Sequence, residues 1–282
     1  MQKTDFNYEI VIHDDASTDN TRDIIDEYAG KYPDKIIRLY EKENQFSKDN
    51  VAMEMYFPKC RGKYIAYCEG DDYWIDSRKL QIQYDFMEHH KDVNLCGHNN
   101  IMLKSDGSIQ CSNMDEGYIG INTILDVWQT GGNRELPRPL SIMFRKKLFD
   151  GSLPEFMEIT HQSGDITKYI YMASVGELYV MSNIMGVYRC NATGSYTQRI
   201  NQDNSYLTQT LVKNQKVLES IRKYLPSTYT EKIDELINQN EYKVDLAEKK
   251  YRLALNSKYK VCFKNEKNKD RLFIFLHAIV NK

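Results

Sequence analysis

The sequence predicts an α/β protein in which a mostly parallel sheet is flanked by helices and followed by a helical C-terminal extension. Three observations predict this class. Short β-branched strands alternate with helical patterns over the first hundred residues. Two of these strands end directly in acidic residues, and the apolar spacing beyond residue 201 is helical. We therefore expect an α/β domain over residues 1–200 and the extension over residues 201–282.

The first strand–helix–strand unit is predicted close to the start of the chain. Residues 8–13 are short, apolar and β-branched, which predicts a strand. Residues 14–20 form a loop of capping residues, and the apolar spacing over residues 21–31 predicts a helix. Residues 36–41 are predicted as the next strand. A strand, a helix and a strand within about 30 residues are typical of a parallel crossover unit.

The same alternation continues, and it loosens further along the chain. A mixed segment over residues 49–60 is predicted as helical, followed by a strand over 63–68, a helix over 78–90 and a strand over 93–99. The later predictions are helices over 122–129 and 165–174 and strands over 141–144, 177–181 and 185–189. The C-terminal helices are predicted over 201–224, 230–256 and 268–281.

Composition and charge limit the function classes. The chain has 282 residues, 41% hydrophobic and 28% charged, which is ordinary for a globular protein. Six cysteines without a C-x-x-C pair argue against a zinc site and a disulfide framework, and predict reduced thiols in a cytoplasmic protein. Residues 242–282 contain eleven Lys or Arg and four Asp or Glu, a net charge of +7, whereas the remainder carries −9. An acidic body of this kind does not suggest nucleic acid as a partner.

Two predicted strands end in acids, at Asp14-Asp15 and at Glu69-Gly70-Asp71-Asp72. In open parallel sheets, ligands bind beyond the carboxyl ends of the strands, so neighbouring strands would place both clusters in one crevice. Carboxylates at this spacing suit Mg²⁺ or Mn²⁺. The alternative is that the acids only start the following helices, where negative charge is stabilising. Two acidic strand ends in successive units favour the ligand-binding interpretation.

Two longer motifs carry a family resemblance. The stretches "EIVIHDDASTDNTRDIIDEY" and "GKYIAYCEGDDYWIDSRKLQIQYDFM" resemble the inverting glycosyltransferases of family 2, which have the Rossmann-like GT-A fold. The similarity is strong over residues 6–100, and a weaker one extends to about residue 195 through "SIMFRKKLF" and "MGVYR". The resemblance implies transfer of a sugar from a nucleotide-sugar, usually a UDP-sugar, to an acceptor hydroxyl with inversion. It implies a saccharide or a lipid-linked molecule as the acceptor.

The resemblance also assigns roles on the donor side. Asp15 matches the acid that hydrogen-bonds the donor's base, and Asp14 supports it at the strand end. Asp71 and Asp72 match the family's Asp-x-Asp-type motif. Asp72 is the first candidate metal ligand, and Asp71 is placed near the ribose or the metal. The implied cofactor is Mn²⁺ or Mg²⁺.

Two further candidates lie towards the acceptor side and the phosphates. The "SGD" that ends in Asp165 resembles the acceptor-side motif of the family, which makes Asp165 the candidate base; the alternative is a plain helix N-cap. Arg189 belongs to a "YR" that often precedes a histidine in the family, but Cys190 follows here. Arg189 is expected either to face the phosphates or to pair with a carboxylate.

Both ends of the chain carry an expectation. Family members begin with a strand, a nucleotide-holding loop and a helix that would precede "QKTDFNYEIVI", so we expect an N-terminally shortened domain. The apolar edge left open would favour homo-oligomers. At the other end, residues 268–282 either pack on the catalytic domain or lie at the inner face of the membrane.

Two other functions remain open from the sequence. A non-catalytic relative could bind a nucleotide or polysaccharide machinery as a scaffold. A nucleotidyltransferase also uses a Rossmann-like sheet and acidic metal ligands, but it usually has a Gly-rich basic loop near its start, and none is visible in this sequence.

Overall fold

The computed structural model describes residues 2–45, 56–130, 136–159, 164–190 and 204–280. The chain divides into two compact units. The first unit contains Met1–Ile121, Glu135–Leu153 and Gly164–Cys190, and the second contains Asn122–Arg134, Pro154–Ser163 and Asn191–Lys282. The domain boundary predicted near residue 200 stays a prediction.

The first unit contains the strands. They are β1 (Ile10–Asp14), β2 (Ile36–Tyr40), β3 (Tyr64–Ala66), β4 (Tyr73–Trp74), β5 (Val93–Leu103), β6 (Ile109–Cys111), β7 (Gly117–Ile119), β8 (Met143–Arg145) and β9 (Glu177–Arg189). Its helices are α1 (Thr21–Lys31) and α2 (Lys79–His89), and α3 (Ile121–Thr130) begins at its boundary. Further along the chain, α4 (Glu155–Ile159) belongs to the second unit and α5 (Gly164–Ser174) to the first.

Strand pairing confirms the α/β class and shows a mixed sheet. β1 pairs with β2 in parallel, as the crossover unit predicts. The larger sheet has the order β3-β8-β5-β9-β4, with β6 beside β5 and β7 beside β9. β5 and β9 are parallel, and β3 runs in the same direction because both β3 and β5 are antiparallel to β8. The sheet's three parallel strands are therefore interleaved with antiparallel ones.

Several elements differ from the sequence-based expectation. The strands expected over residues 177–181 and 185–189 form one strand, Glu177–Arg189, whose pairing with β5 shifts register beside His98 and Asn99. These shifts are β-bulge irregularities, which interrupt the apolar alternation of the sequence. Because such an interruption resembles the end of a strand, the sequence predicted two strands. The helix predicted over residues 49–60 lies largely outside the described residues, and its described end is a short 3₁₀ helix, Phe57–Lys59.

The acidic stretch connects strands at opposite ends of the larger sheet's main order. It follows β3, the first strand in that order, and leads into β4, the last. Residues 67–72 therefore cross the edge where β3 ends, which is the location that parallel-sheet topology predicts for a ligand site. Underneath, Leu80, Met87 and Cys96 belong to a buried core cluster that fixes α2 against the sheet.

The second unit is helical in its described part. Its C-terminal helices are α6 (Asn204–Tyr224), α7 (Thr230–Ala247), α8 (Tyr251–Ala254), α9 (Lys260–Asn265) and α10 (Asn268–Val280). The single helix expected over residues 230–256 is interrupted, because Lys249 has a φ of 61° and ends the regular helical path. Within the described residues, the helices are all too short or too polar to cross a membrane.

Candidate active site

A tight turn places the three acids of the "EGDD" motif. The backbone N–H of Asp72 donates a hydrogen bond to the carbonyl of Glu69 at 3.0 Å. This turn points the side chains in different directions: Asp72 is 8% exposed, whereas Glu69 and Asp71 are exposed. One buried and two accessible carboxylates therefore lie within four residues.

Asp72 is fixed by contacts on several sides. Its Oδ1 accepts a hydrogen bond from the backbone N–H of Arg189 at 2.8 Å, and its carbonyl accepts one from the Cys68 thiol at 3.5 Å. The second carboxylate oxygen, Oδ2, is buried and has no hydrogen-bond partner among the described residues. Burial raises the pKa of Asp72 to about 6, opposed by the Arg189 N–H and reinforced by the charge of Asp71. An oriented buried oxygen without a partner suits a cation or a donor supplied by a ligand.

Glu69 connects this motif to Asp165. Desolvation raises the pKa of Glu69 to about 7, and the next largest contribution is the negative charge of Asp165, followed by those of Asp72 and Asp71. Glu69 keeps solvent access although the surrounding protein desolvates its carboxyl group, as expected for a side chain that lines a crevice. The structure therefore brings Asp165 into the same electrostatic field as the "EGDD" acids.

Asp165 lies in the first turn of α5 beside a buried cation. Its Oδ1 is 3.9 Å from the ammonium of Lys168, whose side chain is 4% exposed. The neighbouring Tyr169 is also buried, and its hydroxyl donates to the carbonyl of Pro137. Burial raises the pKa of Tyr169, with Asp165 as the next contribution, so the phenol stays neutral. The carboxylate of Asp165 is thus half-exposed while its neighbours are rigidly placed.

Two arginines supply positive charge next to Asp72. The guanidinium of Arg189 lies over the ring of Tyr73 at 5.4 Å, and that of Arg138 lies over Tyr188 at 4.3 Å. Both arginines lower the pKa of Asp72. The Nε of Arg138 is buried without a hydrogen-bond partner within the described ranges. The sequence analysis missed Arg138, because it stands in a Pro-rich loop without a recognisable motif.

Asp14 and Asp15 organise the other half of the first unit. Asp14 is buried and forms an ion pair with Arg22 at 2.6 Å. Burial raises the pKa of Asp14, but hydrogen bonds from Ser17 and Arg22 together outweigh burial, so the pKa is lowered overall. The Oδ1 of Asp15 accepts a hydrogen bond from the Gln45 N–H at 2.6 Å. The described contacts of both acids lie around β1 and β2. Their predicted approach to the "EGDD" motif stays a prediction.

Backbone strain marks the same loop. Ala16, directly after Asp15, has a φ of 61°, in the left-handed region that alanine disfavours. Strain of this kind persists where neighbouring contacts enforce it, and it is frequent at ligand sites. Near Ala16, Asp14 accepts hydrogen bonds from the Ser17 N–H and the Arg22 guanidinium.

The carboxylates do not form a complete metal cage by themselves. Over the part of the chain that the structure describes, no group of three or more His, Cys, Asp or Glu side chains is arranged to hold a metal ion. Mg²⁺ commonly takes only one or two protein carboxylates and completes its shell with substrate phosphates and water. Asp72, with its buried unpartnered Oδ2, and the exposed Asp71 fit such a partial set.

Carboxylates and arginines gathered where a parallel strand ends are typical of α/β proteins that bind phosphorylated ligands. Comparison with known sequences gives the class: residues 1–150 match the family described as glycosyl transferase family 2. The chain belongs to this family, which confirms the resemblance seen in the two motifs.

The relatives include proteins named as glycosyltransferases and uncharacterized proteins. An uncharacterized protein of Mycobacterium tuberculosis is 30% identical over 207 residues, which cover 70% of this chain and 56% of that protein. The glucosyltransferase WfaP of Escherichia coli, named for UDP-glucose and a GlcNAc-diphosphoundecaprenol acceptor, is 35% identical over 32% of this chain and 34% of its own length. The poly(ribitol-phosphate) β-N-acetylglucosaminyltransferase TarS of Staphylococcus aureus is 33% identical over 33% of this chain and 16% of its own. The chain matches just over half the length of its mycobacterial relatives.

Proposed function

We propose that this protein transfers a sugar from a nucleotide-sugar, most simply a UDP-sugar, to an acceptor hydroxyl with inversion at the sugar carbon. The observation that carries the proposal is the grouping of Glu69, Asp71, Asp72 and Asp165 beside Arg138 and Arg189. Family membership supports sugar transfer as the reaction class. The names of the relatives support a saccharide, polymer or lipid-linked acceptor in polysaccharide synthesis.

The donor is proposed to bind through both halves of the first unit. Asp15, with Asp14 behind it, is the proposed partner of the nucleotide base, and the strained Ala16 fixes the direction of the loop. Asp71 is proposed to contact the ribose or the metal. Arg189 is proposed to pair with the diphosphate, because a guanidinium matches phosphate oxygens in charge and geometry. Arg138, whose Nε lacks a partner, is a second candidate for that contact.

Mn²⁺ or Mg²⁺ is the proposed cofactor, held by Asp72 and Asp71. When bound, the cation supplies positive charge that offsets the charge developing on the departing nucleoside diphosphate. The carboxylate of Asp72 is already oriented, because its Oδ1 accepts a hydrogen bond from the Arg189 N–H and its Oδ2 is free to accept a ligand. Because reorganisation is avoided, such a prearranged carboxylate favours the reacting state.

Asp165 is the proposed base. It takes the proton from the acceptor hydroxyl as that oxygen forms its bond to the sugar's anomeric carbon, and the bond from this carbon to the diphosphate oxygen breaks with its electron pair leaving on the diphosphate. Single displacement on the face opposite the leaving group inverts the configuration. Asp165 can be reached by an acceptor because its side chain is 47% exposed.

Ligand binding and turnover test the proposal separately. A thermal-shift panel of nucleoside diphosphates and UDP-sugars, each with Mn²⁺ or EDTA, should show metal-dependent stabilisation by one uridine nucleotide. Asp72→Asn should abolish this stabilisation, whereas Asp34→Asn, at an exposed turn, should retain it. Transfer from the donor identified in this way should then be lost in Asp165→Asn. A protein that binds no nucleotide in any condition would contradict the proposal, and one that binds but never transfers would favour the scaffold function.

A further inference from the structure

Helix α10 presents a row of large apolar side chains to solvent. Leu272, Phe275, Leu276 and Ile279 are 59%, 50%, 49% and 54% exposed. Their spacing of three and four residues places them on one side of the helix. We call these four residues the apolar stripe. Exposed apolar groups that form a contiguous surface, unlike single ones, mark interaction sites.

The other side of the same helix is packed, so the orientation of the stripe is fixed. Ile274 and Ala278 are 4% and 6% exposed, and Ile274 belongs to a core cluster with Tyr242, Ala254 and Tyr259. The guanidinium of Arg252 donates to the carbonyl of Ala278 at 2.9 Å and further ties the helix down. α10 therefore cannot bury the stripe by rolling without losing this core.

Positive charge lies beside the stripe. Lys260, Lys264, Lys267 and Lys269 are exposed, and Lys269, three residues before Leu272, lies on the stripe's side of the helix. An open groove of about 400 Å³ beside the stripe is lined by apolar residues that include Phe263 and Phe275, and by polar residues that include Lys260. These residues belong to the segment 242–282, whose net charge is +7 in a chain of net charge −2.

We propose that the apolar stripe and its lysines form a docking surface for an anionic lipid bilayer, on which α10 lies parallel to the membrane plane. Helices with apolar residues on one side and Lys or Arg nearby bind at the boundary between headgroups and acyl chains. Anionic headgroups attract each nearby lysine. A second copy of the chain is the poorer occupant, since a two-fold symmetric contact would bring the same lysines together. The proposal is independent of sugar transfer.

Vesicle co-sedimentation of the full chain tests the proposal. Wild-type protein should bind vesicles containing 30% phosphatidylglycerol at least tenfold more tightly than pure phosphatidylcholine vesicles, and the binding should weaken with salt. The variant Phe275→Ser/Leu276→Ser/Ile279→Ser should lose at least tenfold in affinity. Lys260→Glu/Lys269→Glu should lose at least about 25-fold, since each lysine contributes about fivefold. Ile109→Ser, at a 67% exposed position of the first unit, is the matched control and should bind as wild type does.

Three outcomes would overturn the proposal. One is wild-type protein that stays in the supernatant with both kinds of vesicle. Another is a stripe variant that binds as tightly as the control. The third is a wild-type dimer, measured by light scattering, that the stripe variant converts to a monomer, because the stripe would then be a contact between copies. All substituted side chains are exposed, so circular dichroism should show every variant folded.

Discussion

Replacing Asp72 by asparagine should stabilise the ligand-free protein while removing its response to metal and nucleotide. The carboxyl group has a pKa of about 6 in the folded protein against 3.8 in an ordinary aspartate. Since each pKa unit corresponds to about 1.36 kcal/mol, the ionised form destabilises the fold by about 3 kcal/mol at pH 7. Asparagine retains the acceptor for the Arg189 N–H but buries a new donor at the Oδ2 position, which costs about 1–2 kcal/mol. The expected net gain is about 1–2 kcal/mol.

The sign of the pH dependence makes this expectation specific. An acid whose folded pKa is raised contributes stability that is complete below its unfolded pKa and is lost as the pH rises through the folded value. The difference between Asp72→Asn and wild type should therefore be smallest near pH 4 and should grow up to pH 7. Urea denaturation in EDTA measures it. Asp34→Asn, at an exposed turn away from these acids, is the control and should change stability by less than about 0.5 kcal/mol.

A specific result would refute this reasoning. If Asp72→Asn is less stable than wild type at pH 7 in EDTA, the buried Oδ2 has a partner that stabilises the charge. A difference of constant size between pH 4 and pH 7 would also refute the reasoning, because the effect would then be one of packing rather than of ionisation.

The remaining predictions concern one buried cation, the proposed base and the strained loop. Lys79 is fully buried over the Trp74 ring, and burial lowers its pKa to about 7. In urea denaturation, Lys79→Met should therefore be more stable than wild type at pH 7 and should lose this advantage towards pH 10. An advantage that does not change with pH would contradict this prediction. Asp165→Asn should lower kcat by about 10²–10⁴ while the thermal shift caused by the donor persists, and loss of both would instead indicate a binding role. Ala16→Gly should stabilise the fold by up to about 1 kcal/mol in denaturant titrations, whereas the helical control Ala29→Gly should lose about 1 kcal/mol; equal losses would show that the loop stores no strain.

Local sequence patterns predicted the strand ends because they depend on short-range chemistry. The run before Cys68 and the acids after it reveal both the end of β3 and the acidic motif, and the structure places a turn there. The α1 helix was predicted with its observed bounds since its apolar spacing and termini are both regular. Asp72 and Asp165 were proposed from motifs. Their negative charges both raise the pKa of Glu69, and their roles stay predictions.

Features that depend on distant pairing were not predictable in this way. The buried Asp72 accepts a hydrogen bond from β9, more than a hundred residues later in the chain, and no local pattern reports this contact. Arg138 precedes β8, and no local pattern reports that β8 inserts between β3 and β5. The mixed parallel and antiparallel sheet was not predictable for the same reason, because the pattern within one strand does not show which strand pairs with it.

Because the Arg189 N–H donates a hydrogen bond to Asp72, the "EGDD" motif depends on a part of the chain that is synthesised later. β9 pairs with β5 along its length and with β4 directly after the acids, yet it lies wholly beyond the family-matched residues 1–150. During synthesis, the "EGDD" stretch emerges well before the strand that anchors it. A fragment ending at residue 150 would carry every acid of the two family motifs and still leave β4 and β5 with unpaired edges. Such a fragment should aggregate, so the smallest expressible form of the acid site must extend past Arg189.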